Sequence, residues 1–183
     1  EAAHMRKSQI LHLYDYNYWA NARILDTASL VSPEVLVRPM GMSYGSMHGT
    51  LVHALAGEWI WRVRCQDGVS PRSLLSASDF PDLPSVRGRW AEEEGAMRAY
   101  LKALSDSGLE NVMRYRSTLD NKEYVTPLWQ VLLHLANHGT QHRSEVAAEL
   151  TRAGRSPGDL DYIVYVRRPE PFTFDRTWIT SGA

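Results

Sequence analysis

Three histidines, His134, His138 and His142, stand at four-residue intervals in the stretch His-Leu-Ala-Asn-His-Gly-Thr-Gln-His-Arg. Neutral imidazole nitrogens are intermediate donors that suit Zn, Ni, Cu or Fe. On a helix a four-residue step returns to within about 40° of its starting direction, so an H-x-x-x-H pair can present two rings to one ion. A third ring one more step along does not join them. The outer two diverge by about 80° and lie about 12 Å apart along the axis. One pair is therefore used, and a third ligand comes from another segment. Gly139 lies between His138 and His142. A mid-helix glycine costs about 1 kcal/mol against alanine, which makes sense where a neighbouring helix or a ligand ring approaches closely. That favours His138 with His142 over His134 with His138.

The available third ligands are His12, His48 and His53. His48 and His53 are five residues apart, about 140° around a helix, and so face different ways. His53 lies about 20 Å from the C-terminal end of its helix near Gln66, and His138 about 16 Å from the start of its own. If those helices run antiparallel, the two rings sit at nearly the same level. His12 stays open on this count. Two other metal chemistries are excluded. No Glu follows His138, so this is not the H-E-x-x-H of metalloproteases. No Glu-x-x-His pair occurs after Met5, which removes the carboxylate-bridged di-iron bundles.

The elements that must carry these residues follow from periodicity. Leu13, Asn17, Ala20, Ile24 and Ala28 recur at three- and four-residue steps and predict a helix over 6–30. Ser32-Pro33 opens a turn or short helix, and Gly41, Ser43 and Gly45 mark a loop. Ser46 caps a second long helix, 46–66, carrying Leu51, Val52, Leu55, Trp59 and Val63 and stopping at Gly68. Residues 69–84 form a long connection. A third helix, 85–105, follows a cap at Ser85. Residues 112–125 alternate around Asp120-Asn121 as a small β-hairpin. Thr126-Pro127 opens the fourth helix, 127–153, which ends at Gly154. Residues 159–166 are a short packed segment, and an irregular tail runs over 167–183. The fold class is all-α: a four-helix bundle with long crossover connections and a minor β-hairpin.

Composition narrows the functional classes. The 183 residues suit one domain spanning 1–183. With 44% hydrophobic and 22% charged residues the chain is ordinary globular protein, not disordered or low-complexity. A net charge of −1 offers no basic field, which counts against nucleic acid as the partner. No run of about 18 apolar residues exists, so no membrane-spanning helix is expected. The single cysteine, Cys65, excludes an internal disulfide framework and a Cys-rich zinc site, and favours a reducing, cytoplasmic setting. Glu1 to His4 precede Met5 and are read as a cloning remnant, so His4 is left out of the site.

Three segments carry a family resemblance. Tyr16-Asn17-Tyr18-Trp19-Ala20-Asn21 resembles the Y-N-x-W-A-N opening of the DinB family of damage-inducible bacterial proteins. The segment Ser43 to His53 resembles its S-x-G-S-x-x-G-T-L-x-H second helix, and Asn137 to Arg143 its N-H-x-x-x-H-R fourth helix. Gly154, Pro157, Leu160 and Asp161 fit its closing segment. The resemblance implies a bundle of crossover topology holding one divalent metal on His53, His138 and His142. It returns His48 and His12 to ordinary structural roles and leaves His134 as a group that could anchor a ligand ring.

Three histidines leave a position open on a four-coordinate ion, the mark of a catalytic rather than a structural site. The wider DinB-like superfamily includes thiol-dependent transferases. By resemblance the leading expectation is transfer of a small-molecule thiol to an electrophile, with Zn the first choice of metal and Ni or Fe the alternatives. A non-catalytic metal-binding stress protein is the second reading, and a DNA-damage-associated factor a disfavoured third. A homodimer is expected from six tryptophans in a small chain. Glu58 is assigned to an exposed ion pair in preference to a base. Asn17 is placed facing inward, and Arg143 is paired with a carboxylate. Trp59, Trp61, Trp90 and Trp129 are core or interface residues, and Cys65 is not read as a nucleophile. Metal affinity is expected to fall as pH drops through about 6.5, where free imidazole protonates.

Overall fold

The computed structural model describes residues 5–169, so Glu1 to His4 and all but the first three residues of the expected tail lie outside it. Six helices form: α1 (Lys7–Ala28), α2 (Pro33–Val37), α3 (Met47–Asp67), α4 (Leu83–Ala103), α5 (Leu128–Arg152) and α6 (Tyr162–Val166). Two strands, β1 (Val112–Arg116) and β2 (Glu123–Pro127), pair antiparallel with Tyr115 opposite Tyr124. The four long helices and the hairpin agree with the fold class read from the sequence.

Local signals set most of the boundaries. The Ser46 hydroxyl accepts from the Gly49 N–H at 3.0 Å and caps α3, while Gly68 ends it in the left-handed conformation at φ 65°. Ser85 is not the cap of α4. Asp82 is, accepting from the Ser85 N–H at 2.9 Å, with Leu83-Pro84 forming the first turn. Proline lacks an N–H and fits that turn, so the helix begins two residues earlier than expected.

Side-chain pairs fix the directions of the four long helices. On α1, Asp15 pairs with Arg98 at 2.6 Å and Asp26 with Arg87, so α1 and α4 are antiparallel. Tyr14 Oη donates to the Leu132 carbonyl at 3.2 Å and Arg143 donates to Asn21 at 2.8 Å, so α1 and α5 are parallel. Arg62 meets Glu93 and Tyr100 donates to the Cys65 carbonyl at 3.3 Å, so α3 and α4 are parallel. Parallel neighbours in sequence need a return path, and residues 68–82 supply it along the length of the bundle. The hairpin closes the other end between α4 and α5.

The interior is apolar at both ends and polar across the middle. One apolar cluster gathers Ile24, Leu51, Leu55, Trp90 and Leu150; the other gathers Ile10, Tyr14, Met97, Leu132 and Leu135. Each such side chain contributes about 1.5–3 kcal/mol by burial. Between them lie Asn17, Asn21, Glu58 and Arg143, each 1–4% exposed. Asn17 and Asn21, one turn apart on α1, donate from their amides to Glu58 Oε1 at 3.1 and 2.9 Å. Their carbonyl oxygens accept from Arg143 Nη1. The buried groups of α3 and α5 are thus linked through two aligned amides of α1 without direct contact, Glu58 Oε2 being left without a partner among the described residues.

This layer sets how α3 and α5 are turned about their axes. Gly139 and Arg143 form the stripe beside His138 and His142 on α5. Glu58 is the neighbour of Gly57 on α3. With Arg143 and Glu58 aimed at the bundle axis, the adjacent stripes of α3 and α5 face each other across their shared groove. A Cβ at Gly139 would lie 2.8 Å from both Arg143 Nη1 and Asn17 Oδ1. The glycine makes room for this bridge, not for a ligand ring.

Candidate metal centre

His53 of α3 and His138 and His142 of α5 converge. Each offers a ligand atom, all within 4.8 Å of one another. His138 Nε2 is 3.2 Å from His53 Nε2 and 3.2 Å from His142 Nε2. The ring facing both neighbours has one proton or one lone pair at that nitrogen, so it can serve only one of them as a good hydrogen bond. A shared ion removes the conflict. Nitrogens about 2.0–2.1 Å from a tetrahedral ion stand roughly 3.3 Å apart, close to the observed spacing. The donor set therefore fits a divalent metal.

Register across α3 and α5 explains the convergence. His53 meets His138 and His142, Gly57 meets His138, and Trp61 meets His134 at 5.5 Å between ring centroids. Numbers rise on α3 as they fall on α5, so the helices are antiparallel. Gly57 is a requirement of this packing. A Cβ there would lie 2.7 Å from His138 Cε1 and 3.1 Å from its Nδ1.

Burial keeps the rings neutral, the form that ligates. Loss of water pushes His53 down to about 4 and His138 down to about 3, with the neighbouring imidazoles adding to both shifts. His142 is lowered by the same burial, against a smaller opposing pull from Glu145. Proton competition at His53 and His138 therefore begins well below the pH of about 6.5 expected for free imidazole.

The surroundings supply partial anchors. His142 Nδ1 lies 3.7 Å from Glu145 Oε1, which accepts from the Ser43 hydroxyl at 3.0 Å. Both His142 Nδ1 and Glu145 Oε2 are buried without a partner. Ligating histidines commonly donate their second N–H to a carboxylate, and Glu145 stands where that carboxylate is needed. Its signal in the sequence was a position three residues after His142, on the same helix face. Tyr44 stacks on His53 with centroids 3.5 Å apart and meets His142 edge-on at 5.4 Å. His134 touches His138 only through its ring, 5.8 Å between centroids, and its own pKa is lowered by burial.

The remaining histidines are elsewhere. His12 packs against Tyr162 and Tyr165 of α6, and His48 is buried near Phe80 and Asp82. Glu58 is not in an exposed ion pair. It is 2% exposed, and burial raises its carboxyl to about 7 despite the two asparagine donors. Arg143 meets Asn17, Asn21 and Thr140 in place of the expected carboxylate. Burial pushes the Cys65 thiol up to about 12, which removes it as a nucleophile. Trp90 is core, whereas Trp61 lines the open side of the site.

A family model for the DinB family matches residues 5–171. The chain belongs to the DinB family. It is also 24% identical over 169 residues to Protein DinB of Bacillus subtilis (strain 168), covering 84% of this chain and 91% of that one. The three segments that carry this DinB likeness now have distinct positions. Asn17 and Asn21 belong to the polar layer, Tyr44 and His53 to the ligand groove, and Asn137–Arg143 contributes to both. No helix among the described residues is long and apolar enough to cross a membrane.

In front of the three rings lies a cavity of about 800 Å³. Tyr44, Trp61, Tyr115 and Tyr124 supply its apolar walls, and Gln130 and Gln141 add polar groups. The volume lies within the range of small-molecule sites.

Proposed function

We propose that this DinB-family chain is a metal-dependent transferase joining a small-molecule thiol to a small electrophile. The observation that carries the reading is the aromatic-walled cavity of about 800 Å³ opening directly on three convergent histidines. A structural ion would be closed off by a fourth protein ligand, and no further His, Cys, Asp or Glu joins this cluster among the described residues.

His53, His138 and His142 would hold the ion, zinc first and nickel or iron as alternatives. Bound there, a divalent ion supplies Lewis acidity that favours the deprotonated form of a thiol at neutral pH. The chain's own residues do the rest. Tyr44 covers the face of His53 and excludes water from one side of the ligand ring. Glu145 orients His142. Trp61, Tyr115 and Tyr124 bind and orient the electrophile's apolar body. In the overall reaction a sulfur–carbon bond forms, the bond to the leaving group breaks, and the thiol proton passes to solvent.

The test is a screen of thiols against a chromogenic aryl halide, with protein stripped of metal and reloaded with zinc. Turnover that needs both the metal and a thiol supports the proposal. Zinc-loaded protein that binds the ion tightly yet gives no thiol-dependent rate above background refutes it and leaves a non-catalytic metal protein.

A further inference from the structure

The far end of the cavity holds an arginine with no acidic partner among the described residues. Arg64 of α3 lines the cavity and is 5% exposed. Its guanidinium lies over the Trp61 ring at 4.6 Å and near the Tyr115 ring at 5.2 Å. Among the described residues its one hydrogen bond runs from Nη2 to the Arg116 carbonyl at 2.9 Å, and its Nε is buried without a partner there. The ionisable groups acting on it are Tyr115 and Cys65, neither of them a carboxylate, and burial lowers its pKa. The only carboxylate in the cavity wall among the described residues is Asp120. That group is engaged by the Tyr124 hydroxyl at 2.7 Å and the Lys122 N–H at 3.2 Å.

A buried cation without a counter-charge is costly, because lost hydration is not replaced by an opposite charge. Arg143, the other buried arginine among the described residues, reaches Glu58 through two asparagines, and half-buried Arg62 meets Glu93. Arg64 alone of these faces a ligand-sized space. Arginine recognises carboxylates by its planar fork of donors, and the guanidinium of Arg64 is packed against Trp61 and Tyr115.

We infer that Arg64 is a carboxylate-binding subsite in the metal cavity, so that the ligand carries a carboxylate at one end and its reacting group at the other. The inference rests on the transferase reading for the reacting end. Gly57 and Arg64 are seven residues apart on α3, which separates the ends by about 10 Å. The ligand is thus an elongated anion with an apolar or aromatic middle, lying along Trp61 and Tyr115.

The subsite can be tested apart from the metal and the thiol. Metal-free protein is titrated with benzoate and with benzamide, its uncharged analogue, by calorimetry and tryptophan fluorescence. Benzoate is expected to saturate at least tenfold more tightly than benzamide in the wild type, and Arg64→Gln should erase the difference. Equal or absent binding of the two probes overturns the inference without touching the transferase reading, and the wild-type comparison decides even if the variant fails to fold. A separate arm loads cobalt and adds 2-mercaptoethanol, which carries no carboxylate. An unchanged cobalt spectrum defeats the thiol reading while leaving the anion subsite standing.

Discussion

Gly57→Ala separates metal-site geometry from fold stability. The new Cβ would lie 2.7 Å from His138 Cε1, whereas ordinary contact begins near 3.4 Å, so the ring must retreat by about 0.7 Å. Gly57 is wholly helical and buried, and alanine is worth about 1 kcal/mol more than glycine in a helix interior. The metal-free protein should therefore lose little stability, because propensity offsets strain. A metal site tolerates ligand errors of only about 0.2 Å. Displacing one of three rings by several times that should reduce affinity at least 10–100-fold, the range seen when a ligand merely loses its orienting partner. Competitive titration against a chromophoric zinc chelator reads the affinity, and urea unfolding of the metal-free form reads the stability. Wild-type zinc affinity in a folded Gly57→Ala protein would refute His138 as a ligand in this packing.

Alanine at His53, His138 or His142 should each remove most zinc binding by the same titration, while His134→Ala should cost 10–100-fold or nothing. Glu58 has its carboxyl raised to about 7 from 4.5, so burial disfavours its charged form. Stability should be fully present below about pH 4.5 on this account and be lost as pH rises to about 7, by roughly 3 kcal/mol. Glu58→Gln should flatten urea midpoints across that window. For His53 and His138, lowered to about 4 and 3, the metal-free protein should lose stability as pH falls from about 6.5 toward those values. A zinc-bound form should hold on to lower pH, as read by thermal melts. The expected dimer should give twice the chain mass by light scattering at micromolar concentration; a monomer would end that proposal.

The clustering of His53, His138 and His142 was legible in part because helix geometry is legible. A four-residue step places His138 and His142 together, counting rise along two helices brings His53 to their depth, and it took the DinB resemblance to set His12 aside. Gly139 was singled out as a place where a neighbouring helix or a ligand ring approaches closely, and the first alternative holds. Its missing Cβ serves Asn17 and Arg143 on the axis, and the glycine that serves a ligand ring is Gly57 on the other helix. Spacing within one helix cannot show what another helix brings against it. Glu58 was misplaced for the same reason. A lone glutamate five residues past a histidine reads as surface until the two asparagines of α1 are seen to donate to it. Asp82 displaced Ser85 as a cap because both are good capping residues and the intervening Leu-Pro fits a first turn. Arg64 gave no signal, since its meaning lies in the carboxylate it lacks. The short turn at Ser32-Pro33 and the Ser46 cap needed only local chemistry, and the structure places them where that chemistry puts them; the hairpin expected over 112–125 forms too, but its second strand runs on through Thr126 and Pro127, so α5 starts at Leu128.

The central claim is that His53, His138 and His142 together hold one divalent ion with an open position. X-ray absorption at the metal edge, on protein purified without a nickel column and loaded with zinc, tests it most directly. The predicted result is about one ion per chain with three imidazole shells and one light oxygen, and with a sulfur neighbour near 2.3 Å replacing that oxygen once a thiol is added. Binding that persists unchanged in His53→Ala, or a fourth protein nitrogen that thiol never displaces, would contradict it.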